Sequence, residues 1–303
     1  MVAFKKYLSL VKFSHTIFAM PFAMIGFFLA VTHFNRPQNY QADFSHSADA
    51  YSSYDLVMKF VWVFICMITA RSAAMGFNRY LDRNFDAKNP RTAIREIPAG
   101  LISANSALRF VILNCVLFVA ATYFINTICF WLSPVALFII LFYSYTKRFT
   151  ALCHLVLGLG LSLAPIGAYL AVTGRFDLLP VLFSFAVLSW VSGFDIIYAL
   201  QDIEFDQSQK LYSIPLVLGK TKALRVSIWL HVICAGCIIL AGVYGSFHWL
   251  YWLGVVIFVG MLIYQHTIVK PNDLSKVNIA FMTANGIASV VFGIFVIADL
   301  FIY

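Results

Sequence analysis

An acidic cluster interrupts an otherwise apolar part of the chain, in the segment NRYLDRNFD. It places Asn78, Asp82 and Asp86 at intervals of four residues, so that on a helix the three side chains share one face. Carboxylates on adjacent turns can coordinate Mg²⁺, which prefers hard oxygen ligands and keeps water that phosphate oxygens can replace. The segment therefore predicts a divalent metal site that works with a phosphorylated ligand.

A second cluster, in DIIYALQDIEFD, repeats this pattern. Asp202 and Asp206 are one helical turn apart, Asp195 precedes Asp202 by two turns on nearly the same face, and Tyr198 lies between them. Charged residues make up 11% of the protein, yet six of its 13 carboxylates fall in these two windows and a seventh, Glu96, follows the first. Carboxylates beside membrane-spanning segments are costly and indicate a functional site.

Basic residues follow both clusters. Arg91 and Arg95 lie in NPRTAIREIPAG after the first cluster, and Lys210 follows the second. Arginine suits diphosphate oxygens because its planar fork stays charged. Tyr145 and Lys147 end another apolar stretch, where a cation can meet a diphosphate or an acceptor carboxylate. The alternative is a basic loop whose aspartates only form salt bridges, and two matching clusters make it less favoured.

Three further polar residues have weaker claims to a function. Arg148 is as well explained by a membrane anchor as by substrate binding. Arg71 lies about two helical turns before the first cluster, and we expect it to pair with an aspartate rather than to touch substrate. His15 is expected to be a hydrogen-bonded packing residue in the first apolar stretch.

The elements that position these residues are predicted to be membrane-spanning helices. The chain has 303 residues, of which 62% are hydrophobic, and nine apolar stretches approach the roughly 20 residues that a span needs. The runs are too long and too regular for barrel strands. We expect an all-α, polytopic membrane protein that forms a single domain over residues 1–303. The predicted spans are residues 15–33, 56–77, 104–123, 128–145, 151–172, 178–200, 223–244, 248–268 and 279–301.

Lys and Arg are distributed unevenly between the two sides of these spans. Only Arg36, Lys59 and Arg175 of the 21 basic residues fall on the side opposite the N-terminus. The excess of basic residues predicts a cytoplasmic N-terminus, an outward C-terminus and two cytoplasmic acidic clusters. The net charge of +8 follows mostly from this bias and does not imply nucleic-acid binding.

The first apolar stretch and the cysteines are interpreted as structural. Lysines followed by an apolar run resemble a signal peptide, but Pro21 and the spans that follow favour an uncleaved first helix. All six cysteines lie in apolar runs. Cys234 and Cys237 form a CxxC pair without neighbouring ligands, so packing is favoured over a zinc or redox site.

The two clusters together make the chain recognisable. NRYLDRNFDAKNPRTAIREIPAG and YALQDIEFDQSQKLYSIPLVLG resemble the UbiA superfamily of intramembrane prenyltransferases, whose signatures are NxxxDxxxD and DxxxD. The likeness extends from HTIFAMPFAMIGFFLA in the first span through YSYTKRFT at 143–150 to FMTANG at 281–286. It looks closest to a bacterial branch of 4-hydroxybenzoate polyprenyltransferase-like proteins.

The resemblance implies nine transmembrane helices around a central cavity that opens sideways to lipid. It also implies Mg²⁺-dependent transfer of a polyprenyl group from a polyprenyl diphosphate to an aromatic acceptor in quinone synthesis, at the bacterial inner membrane. The metal would be held by Asn78, Asp82, Asp86, Asp202 and Asp206, with Asp195 and Tyr198 completing the catalytic set. Substrate binding is expected from Asn78, Arg91, Arg95, Tyr145, Lys147 and Lys210.

Two positions depart from the family pattern. The first motif often has Asp directly after its Asn, where this chain has Arg79. The second usually has Gly where this chain has Lys210, which would tighten the loop after Asp206. The Asn-Arg form, with HTIFAMPFA and NPRT, looks closer to the 4-hydroxybenzoate-like bacterial branch. Some members of that branch serve the futalosine route to menaquinone, which would use a dihydroxynaphthoate-type acid.

Other functions stay open at this stage. Haem farnesylation, or modification of a lipid or chlorophyll, would use the same motifs. A secondary transporter would place its acidic residues near the bilayer midplane in broken helices, whereas these lie at one membrane face beside basic loops. A catalytically silent binding protein is disfavoured by the intact Asp motifs.

The topology gives a first prediction. A reporter fused after Tyr303 should be active only on the periplasmic side, because nine spans that start in the cytoplasm end outside. Paired alkaline phosphatase and green fluorescent protein fusions measure this. If the green fluorescent protein fusion is fluorescent and the phosphatase fusion is inactive, the C-terminus is cytoplasmic and the number of spans is even.

Overall fold

The structure is a computed structural model that describes residues 6–7, 9–11, 18–35 and 52–303. His15, whose packing role was predicted from sequence, and the first three residues of the first predicted span lie outside the described residues. The helices are α1 (Met20–Asn35), α2 (Ser53–Asp86), α3 (Ala104–Ile125), α4 (Thr127–Thr146), α5 (Cys153–Thr173), α6 (Leu178–Ala199), α7 (Ile203–Ser208), α8 (Ile214–Tyr244), α9 (Trp249–Ile268) and α10 (Asn285–Ile302).

The predicted all-helical membrane architecture is confirmed. Over the described ranges, eight helical segments are long and apolar enough to cross a membrane, and Met20–Thr32 is a shorter apolar helix. These nine helices correspond to the nine predicted spans. The second span is longer than predicted, since α2 runs on to Asp86 and carries the whole first acidic cluster on continuous helix. The last span begins with a π-helical segment, Ile279–Ala284, before α10.

Side chains complete several helix ends. Ser52 and Asp55 form a capping box at the start of α2. Asn126, between α3 and α4, accepts a hydrogen bond from the Cys129 backbone and donates to the carbonyl of Leu170 at 2.8 Å. Buried Lys59 donates to the carbonyl of Ala171 at 2.7 Å, so its charge meets the negative end of α5 rather than lipid.

The core is built around α6. Among the candidate spans, the segment Leu178–Ser208 has the largest buried share, because helices α5 and α8 pack along it. Trp190, near its middle, has ring neighbours in Phe22, Phe194 and Phe258, with centroids 5.2–5.6 Å away. This aromatic core fixes the helix that leads directly into the second acidic cluster.

Small residues let the backbones of neighbouring helices come close, as is usual for helix packing in membranes. At Gly158 on α5, a Cβ atom would lie 2.4 Å from the carbonyl oxygen of Leu188 and 2.3 Å from the Ser192 hydroxyl, both on α6. At Gly160, two residues further along α5, the nearest atom would be 3.9 Å away. Only the first position therefore requires glycine for steric reasons.

This difference gives a stability prediction. Gly158→Ala should lower the thermal midpoint in detergent, since overpacking against backbone costs about 1–3 kcal/mol. Gly160→Ala on the same helix is the matched control and should stay at or above the wild-type midpoint. Differential scanning fluorimetry measures both, and equal midpoints would contradict the close approach of α5 and α6.

Candidate active site

Both acidic clusters open onto one cavity of about 310 Å³ at one end of the helical bundle. We call it the polar cavity. α2 provides one wall, the end of α6 provides the opposite wall, and α4 and α5 lie between them. The cluster residues that line it are Asn78, Asp82, Asp86, Asp195, Tyr198 and Asp202.

The first cluster is held by basic residues from elsewhere in the chain. Asn78 donates to Asp82 at 2.9 Å, one turn along α2. Arg148, just after α4, forms an ion pair with Asp82 at 2.9 Å. Arg95 pairs with Asp86 at 2.6 Å, and the second carboxylate oxygen of Asp86 is buried without a hydrogen-bond partner among the described residues.

The loop after α2 folds back over the cavity and brings its arginines to the second cluster. Asn89 accepts from the backbone of Arg91 at 3.0 Å, and Thr92 donates to the carbonyl of Asp86 at 3.1 Å, so the turn is tied down. Arg91 then donates to both oxygens of Asp202 at 2.7 and 2.8 Å and to the Tyr198 hydroxyl at 2.8 Å. Burial would lower the pKa of Arg91, but Asp202 and Tyr198 raise it above its ordinary value.

Asp206 occupies a different environment from Asp202. The chain passes through a 3₁₀ turn, Leu200–Asp202, before α7, so a single helical face does not continue through the second cluster. Asp206 is fully buried, lies outside the lining of the polar cavity and pairs with Lys147 at 2.7 Å. Burial would lower the pKa of Lys147, but Asp206 raises it above its ordinary value.

Two residues predicted to bind substrate lie outside the polar cavity. Tyr145 is 43% exposed and packs against Phe77 and under the guanidinium of Arg148. Lys210 is exposed in the turn after α7, with a φ of 55°. That left-handed conformation favours glycine, which explains why the family pattern has glycine there. Lys147, by contrast, lines the cavity.

His154 is a site residue that sequence reasoning missed. It lies at the start of α5, is 2% exposed, and its Nδ1 is 2.7 Å from a carboxylate oxygen of Asp195. Its Nε2 lies 3.4 Å from the backbone nitrogen of Ile214, at the start of α8. The available signal was a histidine at the beginning of a span, directly after the basic loop that contains Lys147 and Arg148.

Within the described part of the chain, two arginines of the polar cavity have no carboxylate partner. Arg71 was predicted to pair with an aspartate, and this prediction is wrong: within the described ranges it has no ion pair, and its Nε is buried without a partner. The reason is distance, since Arg71 precedes Asp82 by about 16 Å along α2. Arg79 is 3% exposed and its Nε also has no partner. The cavity therefore carries positive charge beyond its ion pairs.

A second cavity continues from the first into the membrane-spanning part of the bundle. This apolar cavity has a volume of about 370 Å³ and is lined by α2, α3, α4 and α5. Arg71, Met75, Tyr143, Leu157 and Leu161 line both cavities and mark the boundary between them. A ligand with a charged group and a long apolar chain can thus place the charged group in the polar cavity and the chain in the apolar cavity.

The carboxylates fit Mg²⁺ only together with a phosphorylated ligand. Among the described residues, no three His, Cys, Asp or Glu side chains are grouped to hold a metal by themselves. Mg²⁺ in proteins is usually held by one or two carboxylates plus water and substrate phosphates. Asp82 and Asp202 line the cavity, and Asp86 adds a buried oxygen without a partner, so the donor set is suitable for metal-bound diphosphate.

Comparison with known proteins finds a matching family, sequence relatives and similar structures. The model of the UbiA prenyltransferase family matches residues 19–287. A 4-hydroxybenzoate octaprenyltransferase of Tolumonas auensis is 29% identical over 235 residues, which cover 73% of this chain and 77% of the relative. A UbiA homologue from Aeropyrum pernix K1 has a TM-score of 0.75 at 27% identity, covering 95% of this chain and 97% of that chain.

A second solved homologue supports the fold. The UbiA homologue from Archaeoglobus fulgidus, determined with DMAPP and Mg²⁺ bound, has a TM-score of 0.71 at 18% identity over 98% of this chain and all of that chain. The resemblance to the 4-hydroxybenzoate polyprenyltransferase-like branch is thus confirmed. Because the family model covers most of its length, this chain belongs to the UbiA prenyltransferase family and is a multi-pass membrane prenyltransferase.

Proposed function

We propose that this protein transfers a polyprenyl group from a polyprenyl diphosphate to a 4-hydroxybenzoate-like aromatic acid during respiratory quinone synthesis. The observation that carries the proposal is the junction of the two cavities, where a charged compartment with both acidic motifs opens directly into an apolar one. The names of the relatives, 4-hydroxybenzoate octaprenyltransferases, support the acceptor class. The whole chain acts as one domain in the bacterial inner membrane, with the polar cavity on the cytoplasmic side.

The diphosphate is bound in the polar cavity between the two acidic motifs. Asp82, Asp86 and Asp202 would hold Mg²⁺ there with the help of Asn78, and buried Asp206 would hold Lys147 in place at the cavity. Mg²⁺, when bound, neutralises the charge of the diphosphate as it leaves. Structures of UbiA homologues from Archaeoglobus fulgidus bound to DMAPP or GPP together with Mg²⁺ support this cofactor.

Arg91, Arg95 and Arg148 change partners when the diphosphate binds. In the structure each neutralises one aspartate, at 2.6–2.9 Å. A metal-bound diphosphate supplies new positive charge to those carboxylates and new oxygens to the guanidinium groups, which bind phosphate through two parallel hydrogen bonds. The arginines then stabilise the negative charge that develops on the leaving group.

The acceptor is bound at the boundary between the cavities. Arg71, which has no carboxylate partner, is suited to the carboxylate of an aromatic acid. The bond between the prenyl carbon and the diphosphate oxygen breaks, and a ring carbon of the acceptor attacks the allylic cation. Asp195, held by His154 at 2.7 Å, accepts the acceptor's hydroxyl proton and later returns it to that oxygen, while the ring carbon gives its own proton to the released diphosphate as aromaticity returns.

A second acceptor remains a candidate because of Arg79. A dihydroxynaphthoate-type acid is longer than 4-hydroxybenzoate, and a second guanidinium without a carboxylate partner lines the same cavity. A transporter is disfavoured because the carboxylates lie at the end of the bundle rather than at the middle of broken helices.

The proposed function is tested with purified protein, Mg²⁺, octaprenyl diphosphate and a panel of acceptors, with products identified by mass. The panel contains 4-hydroxybenzoate, 1,4-dihydroxy-2-naphthoate and a dihydroxynaphthoate that carries its carboxylate on the other ring. We expect prenylation of at least one acid and no product with the matched acceptor that lacks the carboxylate. Prenylation of the acid-free acceptor at the same rate would contradict the role of Arg71.

Removing either metal-binding motif should abolish turnover. Asp82→Ala and Asp202→Ala are each expected to reduce kcat by roughly a hundredfold or more, because the charge of the leaving group loses its stabilisation. Asp273→Ala, in the exposed turn before the last span, is the matched control and should keep wild-type activity. Substantial activity of either motif variant, with folding verified by gel filtration in detergent, would overturn the metal–diphosphate assignment.

The proton-accepting role of Asp195 is tested separately. Asp195→Asn preserves shape but cannot take up a proton at neutral pH, so we expect prenylation to fall by roughly a hundredfold. Mg²⁺-dependent binding of a non-hydrolysable prenyl diphosphate analogue, measured by calorimetry, should remain near wild type because the diphosphate does not contact Asp195. Normal turnover, or a parallel loss of analogue binding, would contradict the assignment.

A further inference from the structure

The last span begins with an irregular turn whose carbonyls are bound by a side chain. Residues Ile279–Ala284 are π-helical, and Asn285 starts the regular helix α10. The Asn285 side chain donates to the carbonyl of Ala280 at 3.0 Å and to that of Phe281 at 3.1 Å. One amide therefore closes the π-helical turn from below.

The same amide is fixed by two other spans. Its oxygen accepts from the indole nitrogen of Trp190 on α6 at 2.8 Å and from the amide of Gln265 on α9 at 2.8 Å. Asn285, Trp190 and Gln265 are all fully buried. Buried amides are costly unless satisfied, and a fully satisfied network specifies one arrangement of the helices that carry it. This network joins α6, α9 and α10 at a single point.

The π-helical turn sets the direction of Phe281. A π turn holds one residue more than an α turn, which changes the angular position of the preceding residues by about 100°. Phe281 lines the polar cavity, and its ring centroid lies 4.3 Å from that of Tyr198 and 5.5 Å from that of Phe194. We call Phe194, Tyr198 and Phe281 the aromatic wall of the cavity.

The aromatic wall adjoins the ion pairs of the second acidic cluster. The Tyr198 hydroxyl accepts from Arg91, and the same guanidinium binds Asp202. If the diphosphate binds at these ion pairs, the prenyl carbon that reacts lies beside the aromatic wall. Aromatic faces attract cations and repel water, which are the two conditions that an allylic cation requires.

We propose that Asn285 is a positioning residue of the reaction: it locks the π-helical turn so that Phe281 completes an aromatic wall against the allylic cation. The inference rests on the proposed function and adds a device that protects its intermediate. Without the wall, water adds to the cation and gives the prenyl alcohol and a proton. With it, the acceptor ring forms the new carbon–carbon bond first.

The experiment measures how the cation is partitioned. Wild type and variants are incubated with Mg²⁺, geranyl diphosphate and 4-hydroxybenzoate, and the ratio of prenylated acid to geraniol is determined by chromatography. Asn285→Asp keeps the shape and the accepting oxygen but loses the donors to Ala280 and Phe281. Phe281→Leu removes the ring, and Phe281→Tyr keeps it.

We expect Asn285→Asp and Phe281→Leu to lower the ratio roughly threefold to thirtyfold, and Phe281→Tyr to retain it. Asn114→Asp is the matched control, since Asn114 is also a buried helical amide that donates to a backbone carbonyl, of Phe110 at 2.8 Å, but lies outside the cavity. It should change thermal stability without changing the ratio.

The outcomes separate the two proposals. An unchanged ratio in Phe281→Leu, or a ratio lowered equally by Asn114→Asp, would overturn the positioning role of Asn285. If Asn285→Asp does not fold, the ratios of Phe281→Leu and Phe281→Tyr show whether the ring that Asn285 positions protects the cation. Absence of both prenylated acid and diphosphate release in the wild type would instead contradict the proposed function.

Discussion

The structure depends on the pairing of charges between different helices and loops. Carboxylates beside a membrane are tolerated when a cation and hydrogen bonds compensate for lost water. Each of the five aspartates of the site has such a partner, and none of the partners belongs to the same helical segment as its aspartate. The pairs are Asp82–Arg148, Asp86–Arg95, Asp195–His154, Asp202–Arg91 and Asp206–Lys147. Pairing thus determines where the ends of α2, α4, α5 and α6 meet.

The paired charges lie at one end of the bundle, so that a polar cavity and an apolar cavity adjoin within it. Above Arg71 and Tyr143 the lining is charged, whereas below them α2 to α5 contribute almost only apolar side chains. A molecule with a charged head and a long apolar tail satisfies both compartments at once, because each buried methylene contributes about 0.8 kcal/mol. Under the proposed function, the substrate's amphipathic character would place the reaction at this boundary.

Helical spans and the face shared by Asn78, Asp82 and Asp86 could be predicted from the sequence because both depend on local periodicity. Predictions that extended one helix through a break were less reliable. The turn at Leu200–Asp202 rotates Asp206 away from the cavity, and the π-helical turn before Asn285 leaves no signal in apolar periodicity. Ion-pair partners such as His154 also could not be predicted, because they depend on which helix ends meet in space.

Arg71 and Arg79, which have no carboxylate partner among the described residues, give the site a net positive charge. Five aspartates and their partners leave the site nearly neutral, so that Arg71 and Arg79 account for its remaining positive charge. A buried, uncompensated cation destabilises the fold, and an anionic ligand relieves that cost on binding. Metal-bound diphosphate brings much of its own compensating charge. Under the proposed function, the excess favours an acceptor that carries a carboxylate, and the affinity for that acceptor would depend on Arg71 and Arg79, neither of which is a proposed metal ligand.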